Sequence, residues 1–120
     1  MSGHTADDLT PVLVGVGDCT VKDEPLDAVS SPLDLMLRAA SGAADDAGLA
    51  FSALAKLDEL AVVKSFREPM RNTPDVLAAR LGASHARQWL TPDGGNAPQY
   101  LVNRYAHAIS QGEASFVALT

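Results

Sequence analysis

One hundred and twenty residues, 47% of them hydrophobic, are enough for one buried core and for no more than one domain. Fifteen acidic side chains against nine basic ones leave a net charge of −6, which argues against nucleic acid or an anionic membrane as a partner. The single cysteine, Cys19, excludes an intrachain disulfide; with no signal-peptide pattern over residues 1–10 and no run near the roughly 20 apolar residues of a bilayer span, the expectation is a cytoplasmic protein.

Residues 11–16 are a short apolar run (Val12, Leu13, Val14, Val16) of the kind seen in a strand buried on both faces. A loop rich in Asp, Glu and Pro follows over 18–30. Ser31-Pro32-Leu33-Asp34 then supplies an N-cap, a proline at the first helical position and an acid in the first turn. Leu33, Met36, Leu37, Ala40, Ala44 and Ala47 keep helical spacing up to a stop at Gly48. A short amphipathic piece over 51–57 leads into a second strand over 59–66, carried by Leu60, Ala61, Val62 and Val63.

Thr73-Pro74-Asp75 repeats the cap-plus-proline signal for a helix that closes at Gly82. Its apolar face is Leu77, Ala78 and Leu81 with Val76 alongside, and Arg80 points to solvent. Residues 86–91 are a third, less apolar strand. Asn96 and Gln99 have the spacing of a reciprocal capping pair, and the helix they open carries a stripe of Leu101, Val102, Tyr105, Ala106 and Ile109 as far as Gly112. Residues 115–120 read as a fourth strand, within which the sequence stops, so a domain that continues is expected. The predicted fold class is α/β: a mixed, mostly parallel sheet with covering helices, in the order β-α-β-α-β-α-β.

Most residues with chemical potential read as structural. Gly15-Val16-Gly17 follows a strand as a dinucleotide-binding turn does, but Thr20 stands where the third glycine belongs and no helix opens behind it. Cys19 has Asp18, Lys22 and Asp23 around it, which give no push towards thiolate, so a semi-buried structural thiol is expected. His4, His85 and His107 lack ligand spacing for a metal: His4 falls in a tail, His85 at a strand entrance and His107 on the polar side of the last helix. Tyr105 belongs to the core stripe, and an exposed Trp89 would mark an interface. Lys64, Arg67 and Arg71 gather after the second strand, as a phosphate contact or as a solvated loop.

The segment from Thr91 to Gln99 stands apart. It joins a strand to a helix through Gly94 and Gly95, aims backbone N–H groups and a helix N-terminus forward, and carries no strong nucleophile.

Several fragments, in order, resemble the N-terminal half of thiolase-like proteins. They are Pro11-Val-Leu-Val-Gly-Val-Gly17, Ser31-Pro-Leu-Asp-Leu-Met36, Ala43-Ala-Asp-Asp-Ala-Gly48, Gln99-x-Leu-Val-Asn-Arg104, Ile109-Ser-Gln-Gly-Glu-Ala114 and Phe116-Val-Ala-Leu-Thr120. The branch resembled is the bacterial one labelled acetyl-CoA acetyltransferase, or sterol-carrier-type thiolase. The resemblance implies a two-half fold, each half a five-stranded mixed sheet with helices, packed as an αβαβα sandwich. This chain would be an incomplete N-terminal thiolase-like domain with residues 1–9 as a flexible tail.

The resemblance also implies a nucleophilic cysteine at the N-terminus of the last helix. Registering that helix on Gly112 puts the cysteine at or next to Gly95, so no catalytic residue carries over to this chain. Gly94, Gly95 and Asn96 would shape the floor of a substrate pocket. The family's histidine and second cysteine belong to a C-terminal half. No metal and no cofactor are implied beyond a coenzyme A thioester, as substrate or ligand. Family members pair through the third strand, here Arg87, Gln88, Trp89, Leu90 and Thr91, so the expected partner is a second copy, a C-terminal half or a partner subunit.

The function expected on that basis is acyl-CoA or thioester binding in lipid metabolism, within a parent family of acyltransferases, the chain alone being inactive. A non-catalytic binding or assembly subunit and a retro-aldol lyase with its acid and base elsewhere are the alternatives.

Overall fold

The computed structural model describes residues 9–21, 31–64, 72–92 and 95–120. Expectations for residues 1–8, most of the acidic loop, Arg67, Arg71 and Gly94 fall outside them. Helix α1 (Pro32–Asp46) begins as its sequence dictates: the Ser31 hydroxyl accepts from the Asp34 N–H at 3.2 Å, and Pro32 occupies the first turn. It ends where Gly48 takes φ 73°, a left-handed conformation that a side chain resists. A 3-10 turn (Phe51–Lys56) carries the chain to β1 (Glu59–Val62); α2 (Thr73–Arg80), β2 (Arg87–Leu90), α3 (Ala97–Ser110) and β3 (Val117–Leu119) follow.

The described strands form a parallel sheet in the order β2-β1-β3, with Glu59 opposite Arg87 on one side and opposite Val117 on the other. Side chains alternate across β1 and divide the core. Leu60 and Val62 join Leu33, Leu54, Leu57, Leu77 and Leu81, with Met36, Leu37 and Ala40 of α1 packed against them. Ala61 turns to the other face, where Leu101 and Tyr105 of α3 bury themselves. Helices therefore cover both faces, as βα alternation requires.

Asp58 clamps the entry to β3. Its carboxylate accepts from the Ser115 and Phe116 N–H groups, both at 2.9 Å, and from the Ser115 hydroxyl at 3.1 Å. Partial burial pushes the Asp58 pKa up, but the hydrogen bonds from Phe116 and Ser115 outweigh it and hold the carboxyl below its ordinary value.

Several expectations are corrected. The run 11–16 is not a strand of the described sheet: Val12, Leu13 and Val14 are exposed, and Gly15 and Gly17 lie on the backbone of α1 instead. The Val16 N–H donates to Asp46 Oδ2 at 2.8 Å, a contact to a helix and not to a ladder. The glycines of Gly15-Val16-Gly17 thus serve close packing. Asn96 and Gln99 form no capping pair, because Asn96 is already in the helical region (φ −89°, ψ −5°) and Gln99 Nε2 donates to Asn103 Oδ1 at 3.0 Å. Asn72, not Thr73, precedes α2, and Thr73 is buried inside it. The core stripe of α3 runs Ala97, Leu101, Tyr105, while Val102 is exposed. No helix among the described residues is long and apolar enough to cross a membrane.

Candidate functional site

The site is built where β2 hands over to α3. Thr91, buried, anchors the end of the strand: its N–H donates to the Val62 carbonyl at 3.0 Å, and its hydroxyl accepts from the Lys64 N–H at 3.3 Å. Past Pro92 the chain reaches Gly95 and Asn96, both exposed, and enters α3 at Ala97. Among the described residues no side chain caps this helix, its N-cap residue Asn96 included, and a helix N-terminus of this kind suits a ligand's oxygen or anion. Gly94 lies outside the described residues.

A groove of about 280 Å³ opens beside this turn, lined by Trp89, Thr91, Pro92, Asn96, Ala97 and Tyr100. Its walls are mostly apolar, and Asn96 brings the polar group nearest the helix start. A Cβ built on Gly95 meets nothing within 4 Å, and Gly95 is not among the glycines with positive φ. Among the described residues, position 95 therefore has room for a Cβ, and no close contact requires glycine there.

Trp89 forms one wall and is held in place on both sides. Tyr100 meets it edge-on at 5.9 Å and 72°, and the Arg104 guanidinium lies over its ring at 4.4 Å. The indole is half-buried by its own chain. Beyond Trp89 lies a wider, polar hollow of about 610 Å³, lined among others by Glu59, Arg87, Arg104, Tyr105 and His107. Two of its charges meet: Arg87 pairs with Glu59 at 2.6 Å, and it also donates to the Glu113 backbone carbonyl at 2.7 Å. Burial, then the charge of Glu59, pushes the Tyr105 phenol above its ordinary pKa, with Arg104 opposing.

The remaining predicted residues fall into place without joining this groove. Arg87 and Thr91 direct their N–H groups at β1, so Gln88 and Leu90 between them turn theirs to the other edge of β2, which no described strand covers. Cys19 is half-buried, His85 is exposed just before β2, and His107 is exposed on α3. Among the described residues no group of three His, Cys, Asp or Glu side chains could hold a metal ion. The Asp58 clamp and the Arg104–Trp89 stack escaped the sequence reading; an acid just before an apolar strand was the one available hint of the former.

No family model matches the chain, and no curated protein does. Solved structures do. The SCP2-thiolase-like protein type 1 of Mycobacterium smegmatis, described as monomeric, matches with TM-score 0.78 and 31% identity, over 95% of this chain and 23% of its own. The 3-oxoacyl-(acyl carrier protein) synthase III FabH of Pseudomonas aeruginosa PAO1 matches with TM-score 0.60 and 28% identity, over 74% of this chain and 26% of its own. The 3-oxoacyl-[acyl-carrier-protein] synthase III of Aquifex aeolicus VF5, at 18% identity and TM-score 0.62, shares the fold over 82% of this chain and 30% of its own.

A parallel α/β sheet sandwiched by helices is thus shared with thiolase-fold proteins. The chain is thiolase-like and belongs to that superfamily, as its sequence fragments implied. It spans between 23% and 30% of the length of these three structures.

Proposed function

We propose that this chain binds an acyl-CoA or related thioester in the groove at the head of α3, with glycine occupying the position of the thiolase nucleophile. The observation that carries this reading is Gly95 itself: it stands just before a helix whose N-cap residue Asn96 makes no side-chain cap, beside an apolar groove, with no described atom within 4 Å of where its Cβ would be. In this reading the helix N-terminus polarises the thioester carbonyl, while Asn96 and Trp89 border the acyl group. Without the sulfur no acyl-enzyme forms here, so the chain holds the thioester without transferring its acyl group.

Acid and base groups for a retro-aldol cleavage, if the protein performs one, come from a C-terminal half or a partner subunit. The protein works in the cytoplasm on lipid-derived thioesters, needs no metal or other cofactor, and pairs with a second copy through the free edge of β2. The Mycobacterium smegmatis protein is described as monomeric, so sizing this chain in solution separates the pair from the single molecule.

Trp89 is the only tryptophan and lines the groove, so acetyl-CoA can be titrated against its fluorescence. A saturable change is expected, weakened about tenfold or more in a Gly95→Phe variant, whose ring would obstruct the groove mouth from a position where the Cβ itself meets no described atom within 4 Å. No response, or an equal response in the variant, sinks the proposal. Cleavage of a β-hydroxyacyl-CoA by the chain together with a C-terminal half would favour the lyase over the binding subunit.

A further inference from the structure

The chain is acidic, at −6, yet the hollow beyond Trp89 is lined by two arginines and a histidine, Arg87, Arg104 and His107. Its volume of about 610 Å³ is that of a small-molecule site, well beyond what a bare ion fills. Basic groups gathered in a concave wall concentrate anions there even when the net charge is negative.

Both arginines are oriented before any ligand arrives. Arg87 makes its two contacts through Nη2, to Glu59 at 2.6 Å and to the Glu113 carbonyl at 2.7 Å, and its side chain stays 64% exposed. Glu59, 13% exposed, thereby has its counter-ion. Glu113, the other acid of the lining, is exposed and so screened by water. The Arg104 guanidinium lies 4.4 Å from the centre of the Trp89 ring and 5.9 Å from that of Tyr105. A guanidinium stacked by its face keeps its N–H groups in the plane, where a carboxylate or phosphate meets them in pairs. Among the described residues no carboxylate forms an ion pair with Arg104. His107 follows three positions later on α3, on the same face of the helix.

We infer that the hollow binds a small organic anion, whose carboxylate or phosphate group sits in the Arg104 fork with Arg87 and His107 beside it and its carbon body along Trp89. The stacked arginine loses little freedom on binding, so more of the contact energy remains as affinity. A negative chain repels a polyanion, which argues for a small ligand and against a nucleic acid or an anionic membrane. The inference stands apart from the reading of Gly95: the hollow shares Trp89 with the groove at the head of α3 and none of that groove's other lining residues.

The test is an NMR titration of the full chain with succinate and with glycerol phosphate, neither of which carries a thioester. Saturable amide shifts centred on residues 87–89 and 104–108 are expected, and the anion that saturates at lower concentration names the group. Arg104→Gln should weaken binding about tenfold or more, and so should Arg104→Lys, which keeps the charge but loses the fork and the stack. Arg80→Gln, which removes an exposed charge on α2, should leave it within about twofold. The inference is overturned if neither anion saturates, if sodium chloride at equal ionic strength gives the same shifts, or if Arg104→Lys binds as the parent does. An Arg80→Gln loss as large as that of Arg104→Gln overturns it too. Shifts that follow protein concentration and not the added anion would give the hollow to a second copy and overturn it as well.

Discussion

Gly17 lies directly on the backbone of α1 at Ala43: a Cβ at position 17 would overlap the Ala43 nitrogen and the Ala39 carbonyl oxygen, with the Gly42 carbonyl carbon at 2.9 Å. Gly15 repeats the contact one step away, against the Ala43 carbonyl and Ala47. The pair reads in sequence like a ligand-binding turn; in space it is a seat for the segment 9–21.

Gly17→Ala should therefore unseat that segment. Backbone cannot yield as a side-chain tip can, so the expected loss is about 1–3 kcal/mol, read as a lower urea midpoint. Gly95→Ala is the control: its Cβ meets nothing within 4 Å, and stability should change by less than about 0.5 kcal/mol. Equal losses at the two positions would contradict the seat.

The clamp at Asp58 makes stability depend on pH with a definite sign. Its folded pKa lies below the ordinary value, so its contribution is fully present above the unfolded pKa and is lost as pH falls through the folded one. Asp58→Ala should cost about 1–3 kcal/mol at neutral pH by stranding the Ser115 and Phe116 N–H groups. Denaturation midpoints followed from pH 7 down through the carboxylate range should converge for the two proteins at the acid end. Parallel curves would show that Asp58 adds nothing through its charge.

Arg104 and Trp89 give an optical readout. The guanidinium at 4.4 Å shields one face of the only tryptophan, so Arg104→Ala should shift its emission to the red and cost about 0.5–1 kcal/mol. An unchanged spectrum would mean that the stack does not persist in solution.

Local signals were legible in the sequence wherever the chain decides its own conformation. Ser31 with Pro32 began α1, Gly48 and Gly112 ended helices in left-handed turns, and Leu60 to Val62 formed a buried strand. What sequence could not weigh was the partner. Residues 11–16 have strand composition, yet a strand needs an edge, and among the described residues none is given to them. Asn96 and Gln99 have capping-box spacing, but a box requires an extended residue at the cap, and Asn96 is helical. Val102 falls within helical spacing of Tyr105, yet it is exposed, because the face of α3 turned to Ala61 carries Leu101 and Tyr105 with Ala108 packed alongside. At the candidate site, the helix that begins just past Gly95 was readable. The wall that Trp89, Tyr100 and Arg104 build beside it was not, because those contacts join β2 to α3.

The central claim is that Gly95 occupies the seat of a nucleophile, and restoring the sulfur tests it most directly. Gly95→Cys introduces a thiol at a helix N-terminus, where the dipole lowers its pKa, at a position whose Cβ meets no described atom within 4 Å. Incubation with acetyl-CoA, followed by intact mass and peptide mapping, should find an acetyl adduct at position 95 forming about tenfold or more faster than at Cys19 in the same molecule. Acetylation at Cys19 alone, or at both thiols equally, would contradict the account.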